Sequence, residues 1–120
     1  MGCQADSSWL IALVNSHDAH HQEAITQFES LGVAPSISAL ALAEVLSGFP
    51  SRRHQRARKL NTIFSSVVHV DAKIAEKAAE IRVEYGISLG DAVIVASALV
   101  HDTELLTFDK KMQNVFERLK

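Results

Sequence analysis

Apolar side chains recur along this chain at alternating helical and extended spacings, and polar punctuation separates one stretch from the next. Residues 2–5 form a candidate short strand, followed by Asp6-Ser7-Ser8 and the apolar run Trp9-Leu10-Ile11-Ala12-Leu13-Val14. Those three polar residues suit a strand end that feeds a helix cap. Ala24, Ile25, Phe28 and Leu31 then recur at helical spacing, with Gly32 as the stop. Val33 to Ile37 is short and partly β-branched, so it reads as a strand, and Ala39 to Leu46 as a helix broken by Gly48 and Pro50. Ser51 is positioned to cap a further helix with an apolar stripe of Leu60, Ile63, Phe64 and Val67. Val67 to Val70 predicts a strand, and Asp71 caps a helix carrying Ile74, Ala78, Ile81 and Tyr85 that ends at Gly86. Ser88 caps the next helix, which is apolar on nearly every side from Ala92 to Val100 and is therefore expected inside the fold. Leu105-Leu106-Thr107 makes the last strand, and Asp109 caps a final helix.

Strands alternating with helices predict an α/β fold with a mostly parallel sheet. At 120 residues the chain fits a single domain spanning residues 1–120, because a second core could not be filled. Apolar residues make up 48% and charged residues 22%, which excludes a disordered chain. The net charge of −2 argues neither for nor against a nucleic-acid partner, so any attraction for phosphate must be local. Cys3 is the single cysteine; it has no partner within the chain, and a reducing, cytoplasmic setting is the natural reading. No run approaches the roughly 18 apolar residues needed to span a bilayer, so no membrane association is expected.

In an open parallel sheet the functional edge lies beyond the carboxyl ends of the strands, where strand order reverses. Asp6 follows the first strand, Glu44 lies in the helix after the second, Asp91 opens the buried helix and Asp109 follows the last strand. These four could meet at that edge. Carboxylates so close repel one another and call for a divalent cation, and all-oxygen ligation favours Mg²⁺ or Mn²⁺ over zinc. Each acid also has a plain structural reading: Asp6 and Asp109 as helix caps, and Asp91 as part of the capping box Ser88-Leu89-Gly90-Asp91. Glu44 interrupts an otherwise apolar run, which leaves a shared metal or an exposed helix face as its alternatives.

Asp6-Ser7-Ser8-Trp9-Leu10-Ile11-Ala12, Ser38-Ala39-Leu40-Ala41-Leu42-Ala43-Glu44-Val45, Ile87-Ser88-Leu89-Gly90-Asp91-Ala92-Val93-Ile94-Val95-Ala96 and Leu105-Leu106-Thr107-Phe108-Asp109-Lys110 together resemble the successive motifs of PIN domains of the VapC type. The resemblance covers residue 6 to about residue 115 and is carried by order and spacing more than by any single motif. It implies a three-layer α/β/α fold with a four- or five-stranded sheet. By the same resemblance Asp6, Glu44, Asp91 and Asp109 would be catalytic metal ligands, with Mg²⁺ or Mn²⁺ activating water to hydrolyse an RNA phosphodiester. Ser7 and Thr107 would support them through their hydroxyls. The implied protein is the toxin of a VapBC-type toxin–antitoxin system, a homodimer inhibited by a cognate antitoxin. A degenerate PIN domain that binds RNA or protein without cutting, and a PIN nuclease of RNA maturation or decay, are the alternatives.

Arg52, Arg53, Arg56, Arg58 and Lys59 crowd the start of one helix, where they could grip RNA phosphates or simply form a solvated face. His17, His20 and His21 lack a matching Cys or acid pair, so they are expected to begin a helix rather than bind zinc. No Ser or Cys sits in a nucleophile turn, and covalent catalysis has no support.

Overall fold

The computed structural model describes residues 2–49, 51–64 and 66–120; the expected break at Pro50 lies outside them. The expected first strand forms over three of its four residues: β1 (Cys3–Ala5) leads into helix α1 (Ser7–Val14) and then α2 (His21–Ser30). Strand β2 (Ser36–Ser38) passes directly into α3 (Ala39–Ser47), followed by α4 (Arg53–Ile63) and β3 (Val67–Val68). Helices α5 (Ala72–Tyr85) and α6 (Leu89–Val100) precede β4 (Glu104–Leu106) and α7 (Lys110–Leu119). The four strands form one sheet in the order β3-β2-β1-β4, and every pairing is parallel. This is an α/β/α architecture.

The chain steps outward from β1 to β2 and β3, then returns to the opposite side of β1 as β4. The reversal point therefore lies beside β1, at the strand ends where a ligand is expected. Ala5 pairs with Ile37 on one side and with Leu106 on the other. One residue further along, that register sets Asp6 level with Ser38 and Thr107, and the Asp6 amide bonds the Leu106 carbonyl at 3.0 Å.

Helix starts are set by local chemistry. Asp6, Asp71 and Asp109 each accept a backbone N–H three residues on, and Ser88 does the same for Asp91. Gly86 ends α5 at φ +67°, a conformation that costs glycine nothing. Two expected boundaries differ. Ser51 does not cap α4, whose first turn follows Arg52 at φ 59° with no side-chain cap. Gly32 does not terminate α2, which ends on Leu31 in an extended conformation. The second strand also falls later than the β-branched residues suggest, leaving Val33 75% exposed.

Helix α6 is the centre of the core. Ala92, Val93, Ile94, Val95, Ala96 and Ala98 are all buried, joined by Trp9, Leu10, Ile37, Ile74, Ile81, Leu105 and Phe116. Gln4 is buried with them at 0% exposure, and neither its amide nitrogen nor its oxygen has a hydrogen-bond partner among the described residues. A buried amide without a partner is destabilising. Gln4→Met, which keeps the side-chain volume and removes the polar atoms, is expected to stabilise the protein by about 1–3 kcal/mol; urea denaturation checks this, and a lower midpoint for the variant would contradict it.

Candidate functional site

Asp6 is the best-fixed polar group at the reversal point, only 1% exposed. Its Oδ1 accepts from the Trp9 amide at 2.8 Å, which caps α1. Ser8 Oγ donates to Oδ1 at 2.8 Å and lies 3.0 Å from Oδ2, while Thr107 Oγ1 donates to Oδ2. The Thr107 hydroxyl in turn accepts from the Asp109 amide at 3.0 Å, and Ser8 Oγ from the Phe108 amide at 3.1 Å. The turn after β4 is thus stitched to the turn after β1 through two hydroxyls and one carboxylate. This follows from the register, which brings Thr107 alongside Asp6.

Thr107 therefore stands as expected beside an acid, whereas Ser7 serves a different one. Its hydroxyl donates to Glu44 Oε1 at 3.1 Å. Ser8, not singled out from the sequence, holds Asp6. The signal was present in Asp6-Ser7-Ser8, because the hydroxyl two residues after a capping aspartate can reach back to it. Glu44 is exposed on α3, so its charge is not forced into an apolar interior: Ala43, Glu44 and Ser47 together make the outer face of that helix. Its carboxylate lies across from the start of α6, where a Cβ added to Gly90 would sit 3.5 Å from Glu44 Oε2.

Asp91 and Asp109 complete the edge. Burial pushes the Asp6 carboxyl above its ordinary value, opposed by the hydrogen bonds from Thr107, Trp9 and Ser8 and reinforced by the charge of Asp109. Burial raises Asp91 too; a hydrogen bond involving Ser88 opposes the shift, Asp109 adds to it and Lys111 offsets it. Asp109 thus repels both of the other aspartates, and three of the four acids share one electrostatic neighbourhood. Lys111, also missed in the sequence, is a cation at this edge.

The acids converge on one edge without closing into a cage. Among the described residues, no three His, Cys, Asp or Glu side chains are close enough together to hold an ion as they stand. Three of the four carboxylates are engaged locally instead: Asp6 by Ser8, Thr107 and Trp9, Glu44 by Ser7, and Asp109 by the Met112 amide at 3.1 Å. The donor chemistry nevertheless fits a hard divalent cation, since the donors are carboxylate oxygens and their mutual repulsion is what a cation relieves.

The raised values carry a stability consequence. A carboxyl that holds its proton to higher pH when folded favours the folded state most below the unfolded value, and less as pH rises through the folded one. For the metal-free protein, Asp6 and Asp91 are thus expected to oppose the usual gain in stability between acid and neutral pH. Replacing both with Asn should flatten that opposing component in urea midpoints measured across this window. An unchanged pH profile would contradict the assignment.

The arginine-rich face lies on α4, where Arg52, Arg53, Arg56, Arg58 and Lys59 are all exposed. Arg56 rests over the Phe49 ring at 4.3 Å, so part of this face is occupied by a cation–π contact. Two recesses that share Val14 and Phe49 form an apolar groove between this face and Glu44. One section is lined by Ile11, Val14, Glu44, Val45 and Phe49, and the next by Val14, Phe49, Arg56, Lys59 and Leu60. Of the three histidines, His21 opens α2 with Nδ1 2.7 Å from the Ala12 carbonyl oxygen, and His20 precedes it. Neither sits in a cluster able to hold zinc.

Comparison with known proteins agrees with this architecture. The PIN-domain family profile matches residues 5–117. A toxin–antitoxin complex from Klebsiella pneumoniae is similar at 30% identity and a TM-score of 0.79, over 92% of this chain and 88% of that one. A VapC toxin of Mycobacterium tuberculosis that cleaves the sarcin–ricin loop superposes with a TM-score of 0.81 at 24% identity, over 94% of both chains. A VapBC pair from Rickettsia felis bound to a fragment of its promoter DNA gives 0.71 at 20% identity, over 99% of this chain and 93% of that one. Comparison with curated protein sequences finds no match. An all-parallel sheet with acids gathered at its reversal point, matched over nearly its whole length by one family, identifies the chain as a member of the PIN-domain family with VapC toxins among its structural neighbours.

Proposed function

We propose that this protein is a divalent-metal-dependent endoribonuclease, the toxin of a VapBC-type toxin–antitoxin pair. The observation that carries the reading is the placement of the acids: Thr107 joins Asp6 to the Asp109 backbone at the reversal point, and Glu44 faces the start of the helix that carries Asp91. Asp6, Glu44, Asp91 and Asp109 would hold the cation. Bound there, Mg²⁺ or Mn²⁺ supplies an activated water and stabilises charge on a phosphate oxygen.

The remaining work belongs to the chain's own residues. Thr107 and Ser8 fix the Asp6 carboxylate against rotation, and Ser7 orients Glu44. Lys111 offsets part of the acid charge that would otherwise repel RNA, and the exposed arginines of α4 offer phosphate contacts further along the groove. Ile11 and Val14, 39% and 42% exposed, give the groove an apolar wall suited to a protein partner, in keeping with a cognate antitoxin. A homodimer is proposed on the family likeness.

Cleavage of a labelled RNA should stop when metal is removed by EDTA and return when Mn²⁺ is added in excess. Equal cleavage in EDTA would contradict the reading. A second reading is a degenerate PIN domain that binds without cutting, favoured by the full hydrogen bonding of Asp6 in place of an open ligand set. Mn²⁺ calorimetry separates the two, because the degenerate domain would neither bind the ion nor cut at any metal concentration.

A further inference from the structure

The turn between α1 and α2 is held by two side-chain caps: Asn15 Oδ1 accepts from the His17 amide at 3.0 Å and Asp18 Oδ1 from the His20 amide at 2.8 Å. So fixed, the His20 ring lies flat on Phe108, with ring centroids 4.5 Å apart and planes 7° from parallel. One face of the ring rests on Phe108, Glu23 Oε1 lies 3.7 Å from its Nδ1, and the side chain is still 51% exposed. Phe108 sits between Thr107 and Asp109, two residues of the acid edge. His20, Glu23, Thr107, Phe108, Asp109 and Lys110 are among the residues lining a recess of about 260 Å³, in which the lysine faces two carboxylates. That is smaller than the roughly 300–1,000 Å³ of a pocket that takes a whole ligand, and it opens onto the acids. A flat aromatic surface beside a lysine and a phosphate-handling edge is the arrangement that single-stranded nucleic acid uses: bases stack on the ring while cations meet the backbone.

We propose that the face of His20 turned away from Phe108 is a stacking platform for a base of single-stranded RNA next to the phosphate engaged at the acid edge, with Lys110 meeting the neighbouring backbone. The assignment rests on the ribonuclease reading and names a positioning element for its substrate. The stack makes the site dependent on an unpaired base, whereas the acids and lysines recognise only the phosphate chain.

The test compares two fluorescein-labelled probes of equal charge, a single-stranded oligoadenylate of twelve nucleotides and its abasic counterpart, bound to the full chain with Ca²⁺ in place of the catalytic ion and followed by anisotropy. Wild type should bind the base-bearing probe more tightly, by about tenfold for one stacked base. His20→Ala should lose most of that preference and His20→Phe should keep it. Phe108→Leu, with its fold checked by circular dichroism, should weaken it as His20→Ala does. In Mn²⁺, His20→Ala should raise KM for single-stranded RNA by a similar factor with kcat little changed.

A wild-type preference absent from the start, or one unaltered in His20→Ala, would overturn the proposal. So would a His20→Ala variant whose RNA binding is unchanged but whose antitoxin binding is lost, since the platform would then belong to the protein partner. The two readings fail separately. Base-dependent binding by a protein that never cuts would sink the nuclease and spare the platform, and normal cutting with an unchanged KM in His20→Ala would do the reverse.

Discussion

Asp91→Asn is expected to lower Mn²⁺-dependent RNA cleavage at least about a hundredfold, since losing a ligand should cost no less than the 10–100-fold measured for outer-shell partners of metal sites. The fold should survive intact. Asp91 donates its backbone N–H to Ser88 Oγ at 3.2 Å, a bond that asparagine keeps, and the asparagine side chain has nearly the same shape and still offers an acceptor oxygen. The substitution also removes a carboxylate that burial and the neighbouring Asp109 both disfavour in its charged form. The variant should therefore melt no lower than wild type at neutral pH while losing activity, a dissociation of stability from function that a merely structural aspartate would not give. Undiminished cleavage by a folded Asp91→Asn protein would remove it from the proposed site.

The largest loss of stability is expected from Trp9→Ala. Trp9 is fully buried, its indole Nε1 donates to Gln27 Oε1 at 2.7 Å, and its ring meets Phe28 at 6.4 Å between centroids. It joins α1 to α2 while its own backbone N–H caps onto Asp6. Truncation to alanine leaves a cavity and an unpaired Gln27 oxygen, costing about 3–5 kcal/mol. That is a large share of the 5–15 kcal/mol typical of a domain. Trp9→Phe should cost visibly less, because most of the ring volume returns. Urea denaturation of both variants checks the order, and a Trp9→Ala midpoint within error of wild type would contradict the packing described.

The parts of this fold legible in the sequence are those that local chemistry decides. Asp6, Asp71, Ser88 and Asp109 cap helices because a short acceptor side chain can reach an amide three residues ahead whatever surrounds it. The unbroken apolar stretch of α6 could only be an interior helix. Strand placement was less legible: β2 falls at Ser36–Ser38 because Ser36 pairs with Gln4 and Ile37 with Ala5, a decision made across the sheet. The Val33 region, richer in strand-forming residues, is left outside.

The site divides in the same way. Asp6, Asp91 and Asp109 were visible because each follows a strand or opens a helix, and Glu44 because it interrupts an apolar run, but the exposure of Glu44 depends on which face α3 turns to the core. The hydroxyl partners depend on register, which sends Ser7 to Glu44 and leaves Ser8 and Thr107 to Asp6. Lys111, and the pairing of His20 with Phe108 across 88 positions, required the folded chain.

The central claim is that carboxylates distant in sequence share one cation. A crystal soaked in Mn²⁺ and measured for anomalous scattering tests it most directly. A manganese peak is expected at the carboxyl edge of the sheet, within about 2.0–2.3 Å of oxygens from Asp6 and at least two of Glu44, Asp91 and Asp109, with Asp6 released from part of its bonding to Thr107. Saturating Mn²⁺ that leaves this edge without a peak, its carboxylates still bonded to Ser7, Ser8 and Thr107, would contradict it.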